Sequence, residues 1–152
     1  MAIAASLKGF IKKHSHLSLD TSVFIYFVEH NPRYHDLSKF IFEAIETGKI
    51  KATTSTLSLL EILVQPYRRQ LDDLVMKFYG LFTTYPNLEW VELTLEIADT
   101  AARLRAEHRL KTPDAIQLAS ALSSGATGFI CNDVIFKRVE EIDCLILDDC
   151  TE

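Results

Sequence analysis

The feature that most constrains this chain is the alternation of short apolar stretches with longer ones whose apolar residues recur at helical spacing. Leu17 to Leu19, Ile50 to Thr54, Leu88 to Leu93, Thr127 to Cys131 and Cys144 to Leu147 read as buried strands. Between them, Leu71, Leu74, Val75, Phe78, Leu81 and Phe82 follow a helical period, as do Ala115, Leu118, Ala119 and Leu122. Strands whose connections contain whole helices run parallel, with right-handed crossovers that place helices on both faces. The expected fold is therefore α/β: a single-domain, three-layer α/β/α sandwich with a central, mostly parallel sheet of four to five strands. The 152 residues fit one domain, with its core over about 17–147, and contain no repeat or linker.

Composition removes other classes. A hydrophobic fraction of 48% and a charged fraction of 24%, with few Gly and Pro, exclude disordered and collagen-like chains. The longest apolar run, Val23 to Val28, is far short of the roughly 20 residues of a membrane span. Lys8, Lys12 and Lys13 follow or interrupt the apolar part of the amino-terminal segment, the reverse of a secretory signal, so a cytoplasmic location is expected. Cys131, Cys144 and Cys150 form no C-x-x-C pair and read as buried, reduced thiols. A net charge of −5 speaks against bulk electrostatic attraction to nucleic acid.

In a parallel sheet the carboxyl ends of the strands and the starts of the following helices share one edge, and four acids map to it. Asp20 ends the first strand, and Asp133 follows the fourth through Asn132. Asp114 lies in the first turn of a helix from Pro113 to Ser124, N-capped by Thr112 and C-capped by Gly125. Gly48 closes an earlier helix from Asp36 to Thr47 in the same way. Glu61, the only charge between Lys51 and Arg68, is expected near the start of a helix that is buried all round. Each acid has a plainer role alone: a helix cap for Asp20, a capping-box partner of Ser58 for Glu61, a dipole complement for Asp114, a turn residue for Asp133. Together they line the crevice in which open α/β sheets bind ligands. Carboxylates 4 Å apart repel by about 4 kcal/mol per pair at an effective dielectric of about 20. Helix amino ends offset about 1 kcal/mol or less each, whereas raised pKa values or a divalent cation relieve the rest. An all-oxygen set without His or Cys suits Mg²⁺ or Mn²⁺ and phosphoryl-transfer chemistry.

The stretch Leu19-Asp20-Thr21-Ser22-Val23-Phe24-Ile25, the Glu61 helix, Thr112-Pro113-Asp114-Ala115 and Asn132-Asp133-x-x-Phe136 resemble, in residues and spacing, the four motifs of the PIN domain. The resemblance runs from about Leu17 to Leu147 and is nearest to the small VapC-like toxins. It implies a Mg²⁺- or Mn²⁺-dependent endoribonuclease that hydrolyses RNA phosphodiester bonds, forms a homodimer, and is held inactive by a small antitoxin protein. It further implies that Asp20, Asp114 and Asp133 hold the metal and that Glu61 completes the cluster or works through a bound water. Thr21, Ser22, Thr112 and Asn132 would orient these acids. Cys131 departs from the family pattern, which often has Thr or Ser there.

Setting the four acids aside leaves a net charge of −1, so RNA is not excluded. Arg103, Arg105, Arg109 and Lys111, with His108 among them, are candidates to hold phosphates, a solvated helix end being the alternative. Arg68, Arg69, Lys137 and Arg138 carry the same two readings. The apolar helix expected from Arg68 to Thr84 is one candidate dimer surface. His14, His16, His30 and His35 are expected on the surface, Trp90, Phe24, Tyr26, Phe27, Phe40, Phe78 and Phe82 in the core, and Asp148 and Asp149 in a charged tail. Two competing readings are a PIN-type nuclease for RNA processing or for DNA, and a catalytically silent binding module. A receiver would want adjacent acids and a haloacid-dehalogenase phosphatase D-x-D, where this chain has Thr21 and Ser22.

Overall fold

Every strand of the computed structural model, which describes residues 2–151, pairs in parallel with its neighbours. The strands are β1 (His16–Leu19), β2 (Lys51–Ser55), β3 (Leu88–Val91), β4 (Gly128–Cys131) and β5 (Asp143–Ile146), in the order β3-β2-β1-β4-β5. The expected α/β sandwich is therefore the observed one, with strand ends moved by one or two residues. β3 is an exception to the buried reading: it is an edge strand, half-buried to exposed, and ends before the apolar Leu93, which is left in solvent.

The helices are α1 (Ala5–Lys13), α2 (Thr21–Val28), α3 (His35–Glu46), α4 (Thr56–Arg68), α5 (Asp72–Thr83), α6 (Leu95–His108) and α7 (Thr112–Ser124). They bury two apolar clusters. One joins α1, α2, α3 and α5 to β1, and in it Phe24 meets Phe42 and Phe82 edge-on at ring separations of 5.2 Å. The other joins α6 and α7 to β4 and β5 through Leu104, Leu118, Phe129 and Phe136. The core reaches beyond 17–147 on both sides, since Leu7 and Phe10 of α1 and Cys150 belong to it. The close seat of α1 explains Gly128: a Cβ there would stand 2.6 Å from Leu17 Cδ2 and 2.9 Å from both His14 and Phe10.

Several local expectations are corrected. Thr112 opens α7 instead of capping it; Lys111 occupies the cap position and makes no side-chain cap bond. Gly125 does close α7, at φ 84°. The helix expected from Arg68 to Thr84 is two helices, because the chain turns through the left-handed Gln70 (φ 55°) before α5 begins. His14 is buried, its Nδ1 2.8 Å from Thr127 Oγ1 and its Nε2 2.7 Å from Asp143 Oδ2, and His16 and His35 are half-buried. Asp148 and Asp149 belong to an ordered 3-10 turn, Asp148 paired with Arg33 and Asp149 with Lys137. Cys131 and Cys150 are buried and Cys144 partly so; all three are free thiols, and burial pushes Cys144 up to about 12. Among the described residues no helix is long and apolar enough to cross a membrane.

Candidate active site

The strand order reverses direction between β1 and β4, and such a switch point opens a crevice at the carboxyl ends of the two strands. Asp20 stands there. Its backbone N–H donates to the Ile130 carbonyl at 2.9 Å, which extends the β1–β4 ladder by one residue and fixes the carboxylate at the mouth. Asp20 occupies the cap position of α2 yet makes no side-chain cap bond, so its acceptor capacity is not used by its own helix end. The carboxylate accepts from Ser22 Oγ at 3.2 Å. Burial raises its pKa to about 6 against the pull of the Thr21 N–H, and the charges of Asp114 and Glu61 push it the same way.

Asp114 is the third residue of α7 and half-buried. Burial lifts its pKa, and the charges of Asp133 and Glu61 add to that while Lys111 opposes them. Asp133 is exposed, follows β4 through Asn132, and accepts from the Ile135 N–H at 3.0 Å at the start of a 3-10 turn over Val134–Arg138. Glu61 corrects an expectation: it lies in the second turn of α4 and is exposed, as is Leu60, so this helix is amphipathic and not buried all round. The capping box with Ser58 is absent, because Ser55 caps α4 by accepting from the Leu57 N–H at 3.1 Å.

The four acids are linked through two of their number: the charges of Asp114 and Glu61 act on Asp20, and those of Asp133 and Glu61 act on Asp114. Among the described residues none of the four has a Lys, Arg or His partner within 4.0 Å. A desolvated carboxylate with like charges around it and no cation beside it fits a hard divalent ion, and the donor set is entirely oxygen. The carboxylates are not drawn into a closed chelate. The one group of three His, Cys, Asp or Glu side chains among the described residues whose ligand atoms lie within 4.8 Å of one another is Glu107, His108 and Glu141, at the end of α6.

The neighbouring candidates divide. Thr21 is buried and donates to Glu61 Oε1 at 2.8 Å. Asn132 touches none of the acids: its Nδ2 donates to Tyr26 Oη at 2.9 Å and its Oδ1 accepts from the Asp148 N–H at 2.8 Å, which ties the β4 loop to α2 and to the carboxyl-terminal turn. Thr112 is exposed and accepts from Arg105 Nη1 at 3.0 Å, while Arg105 Nε donates to the Leu110 carbonyl at 2.9 Å. Arg105 is therefore a staple of the α6–α7 loop, and Arg103 is paired with Asp99 at 3.5 Å. Of the expected basic group, Arg109 and Lys111 are exposed without ion-pair partners among the described residues, and Lys111 lies close enough to lower the Asp114 pKa. Cys131 Sγ is 3.9 Å from the Asp133 carbonyl and its thiol is pushed up by burial, so only a weak donor stands where a hydroxyl is usual.

The sequence assigns no site role to three buried polar residues beneath this site, Thr54, Ser58 and Gln117. A signal was available for the last two. Ser58 lies one helical turn before Glu61 and Gln117 one turn after Asp114, so each is an i, i+3 neighbour of its acid.

A parallel sheet with the order β3-β2-β1-β4-β5 and four acids at its switch edge defines an α/β protein of the PIN class. The PIN domain family model matches residues 17–142, and the chain belongs to that family. Its fold is similar to a chain of VapBC2 from Rickettsia felis, in a complex with a DNA fragment from their promoter, at a TM-score of 0.65 and 15% identity, covering 86% of this chain and 98% of that one. It is likewise similar to a chain of a toxin–antitoxin complex from Klebsiella pneumoniae at a TM-score of 0.67 and 19% identity, covering 86% and 97%. No curated protein matches the sequence.

Proposed function

We propose that this protein is a Mg²⁺- or Mn²⁺-dependent endoribonuclease, the toxin of a toxin–antitoxin pair. The observation that carries the reading is the set of four carboxylates at the switch edge, coupled through Asp20 and Asp114 and with no Lys, Arg or His within 4.0 Å among the described residues, in a chain of the PIN family. Asp20, Asp114 and Asp133 would hold the cation, with Glu61 completing the set directly or through water. A bound cation of this kind activates water and offsets the charge that builds on a phosphodiester under attack. Thr21 and Ser22 orient Glu61 and Asp20, Arg105 secures the loop that carries Thr112, and Arg109 and Lys111 offer free charges to neighbouring phosphates.

The antitoxin reading draws on the fold likeness to two toxin–antitoxin complexes and on a groove between α2, α4 and α5. Ile25, Ile62, Leu74 and Phe78 line it, and Glu61 and Arg69 stand at its margin, so an apolar partner segment seated there would reach the acid cluster. Exposed Met76, Tyr79 and Leu81 on α5 are the candidate contact between two copies.

The test is incubation of the purified chain with mixed RNAs and with single-stranded DNA, with and without Mg²⁺ or Mn²⁺, beside Asp20→Asn. RNA cleavage that needs the metal and vanishes in Asp20→Asn is expected. Cleavage of DNA alone would move the substrate to the competing reading, and metal-independent cleavage would refute the mechanism.

A further inference from the structure

Gln117 is almost completely buried in α7, among alanines and leucines, and its amide touches the first two of the four acid-bearing segments. Its Nε2 lies 2.8 Å from Ser58 Oγ and 3.2 Å from Thr21 Oγ1. Hydroxyls donate or accept, so their proton directions are usually open. Here both chains end on groups that only accept. Thr54 Oγ1 donates to the Leu19 carbonyl at 2.8 Å, so it accepts from Ser58 across 2.7 Å, and Ser58 in turn accepts from Gln117. Thr21 Oγ1 donates to Glu61 Oε1 at 2.8 Å and must also accept from Gln117.

Gln117 Oε1 has no hydrogen-bond partner although buried. Turning the amide over would give it one, but Ser58 and Thr21 would then spend their protons on Gln117. Thr54 would lose the proton that reaches it from Ser58, and Glu61 would lose the one it receives from Thr21. The observed orientation sacrifices one acceptor to keep both chains directed.

We infer that Gln117 is a positioning residue: its amide fixes Thr21 as a donor and thereby holds the Glu61 carboxylate over the acid cluster. The inference rests on the proposed role of that cluster. Removing the amide frees a lone pair of Ser58 Oγ, which already lies 3.1 Å from Thr21 Oγ1, to compete more strongly for the Thr21 proton, and Glu61, on an exposed helix face, has no other hydrogen-bond partner among the described residues.

The experiment uses the full chain as wild type, Gln117→Met, Thr21→Val, Thr21→Ser and the Gln117→Met/Thr21→Val double variant. Mn²⁺ affinity is read by electron paramagnetic resonance, RNA cleavage by kcat and KM, and folding by thermal unfolding. Groups that orient metal ligands typically change affinity or activity by about 10- to 100-fold when lost. Gln117→Met and Thr21→Val should each weaken Mn²⁺ binding or lower kcat within that range with KM little changed. Thr21→Ser should restore the wild-type values, and the double variant should be no worse than the poorer single variant, because both act through one hydrogen bond. A Gln117→Met protein that binds Mn²⁺ and cleaves as the wild type does overturns the inference, as do effects that multiply in the double variant. Should Gln117→Met not fold, the Thr21→Val and Thr21→Ser pair decides. The Gln117 side-chain amide signals in NMR spectra should then shift in Thr21→Val and hold in Thr21→Ser, and signals unmoved in both would overturn it. Mn²⁺ binding with the expected variant pattern but no RNA cleavage by the wild type would sink the nuclease reading alone. No Mn²⁺ binding by the wild type would remove both.

Discussion

Asp20→Asn should stabilise the metal-free protein while abolishing its activity. The Asp20 carboxyl is raised from 3.8 to about 6, chiefly because the fold strips water from it, and the charges of Asp114 and Glu61 add to that. An acid whose pKa is raised on folding binds its proton more tightly in the folded state. Its destabilising effect is absent below pH ~4, grows as pH rises through 4 to 6, and is constant above that. At about 1.36 kcal/mol per unit the ionised side chain costs roughly 3 kcal/mol at pH 8, an upper bound because the surrounding charges relax. For a chain of this size that corresponds to roughly 6–12 °C in Tm. The amide of Asn still accepts from Ser22 and carries no charge. Thermal unfolding in a chelating buffer at pH 4.5 and pH 8 measures the difference: the variant should exceed the wild type at pH 8 and approach it at pH 4.5. Saturating Mn²⁺ should raise the wild-type Tm and leave the variant's nearly unchanged, since only a ligand that binds the folded state stabilises it. A variant less stable than wild type at pH 8, or a gap that does not change with pH, would refute the reasoning.

Asp143→Asn should show the opposite pH trend. The hydrogen bond from His14 holds the Asp143 carboxyl below its usual range, aided by Lys13, so its stabilising effect is present above pH ~4 and is lost as pH falls through the lowered value. The wild type should unfold at higher urea than this variant at pH 7, the two converging as the pH falls through the lowered Asp143 value. Gly128→Ala should destabilise by about 1–3 kcal/mol in urea titration, because its Cβ has no room beside Leu17, His14 and Phe10; unchanged stability would mean α1 does not seat there. Arg105→Ala should speed amide exchange over Leu110 to Asp114 and lower RNA cleavage, whereas Arg103→Ala, whose partner is the exposed Asp99, should alter stability by less than about 0.5 kcal/mol and leave cleavage unchanged.

The sheet was legible because its strands are short apolar runs separated by whole helices, and that alternation admits few topologies. Asp20 and Asp133 were legible for the same reason: each directly follows an apolar run, and strand order then brings them together. Glu61 lies on the expected helix but in surroundings the local sequence does not show. Its neighbours along the chain are apolar, but burial follows the helix face, and Ser58, Ile62 and Leu63 take the inner side while Leu60 and Glu61 face out. The basic group before Thr112 divides in a way that proximity in sequence does not show, because some of its cations are already bound: Arg105 is held by Leu110 and Thr112, and Arg103 by Asp99. His14 and α1 were missed because three lysines mask the single buried stripe of Leu7 and Phe10. The Gln117 network joins three helices and two strands, and only their packing brings its members together.

We propose that the four carboxylates at the switch edge make one cation site. A crystal of the protein grown with Mn²⁺, with anomalous scattering recorded at the manganese edge, measures that most directly. An anomalous peak ringed by Asp20, Asp114 and Asp133 is expected, with Glu61 in reach directly or through water. A peak only at Glu107, His108 and Glu141, or none at the switch edge at saturating Mn²⁺, would contradict it.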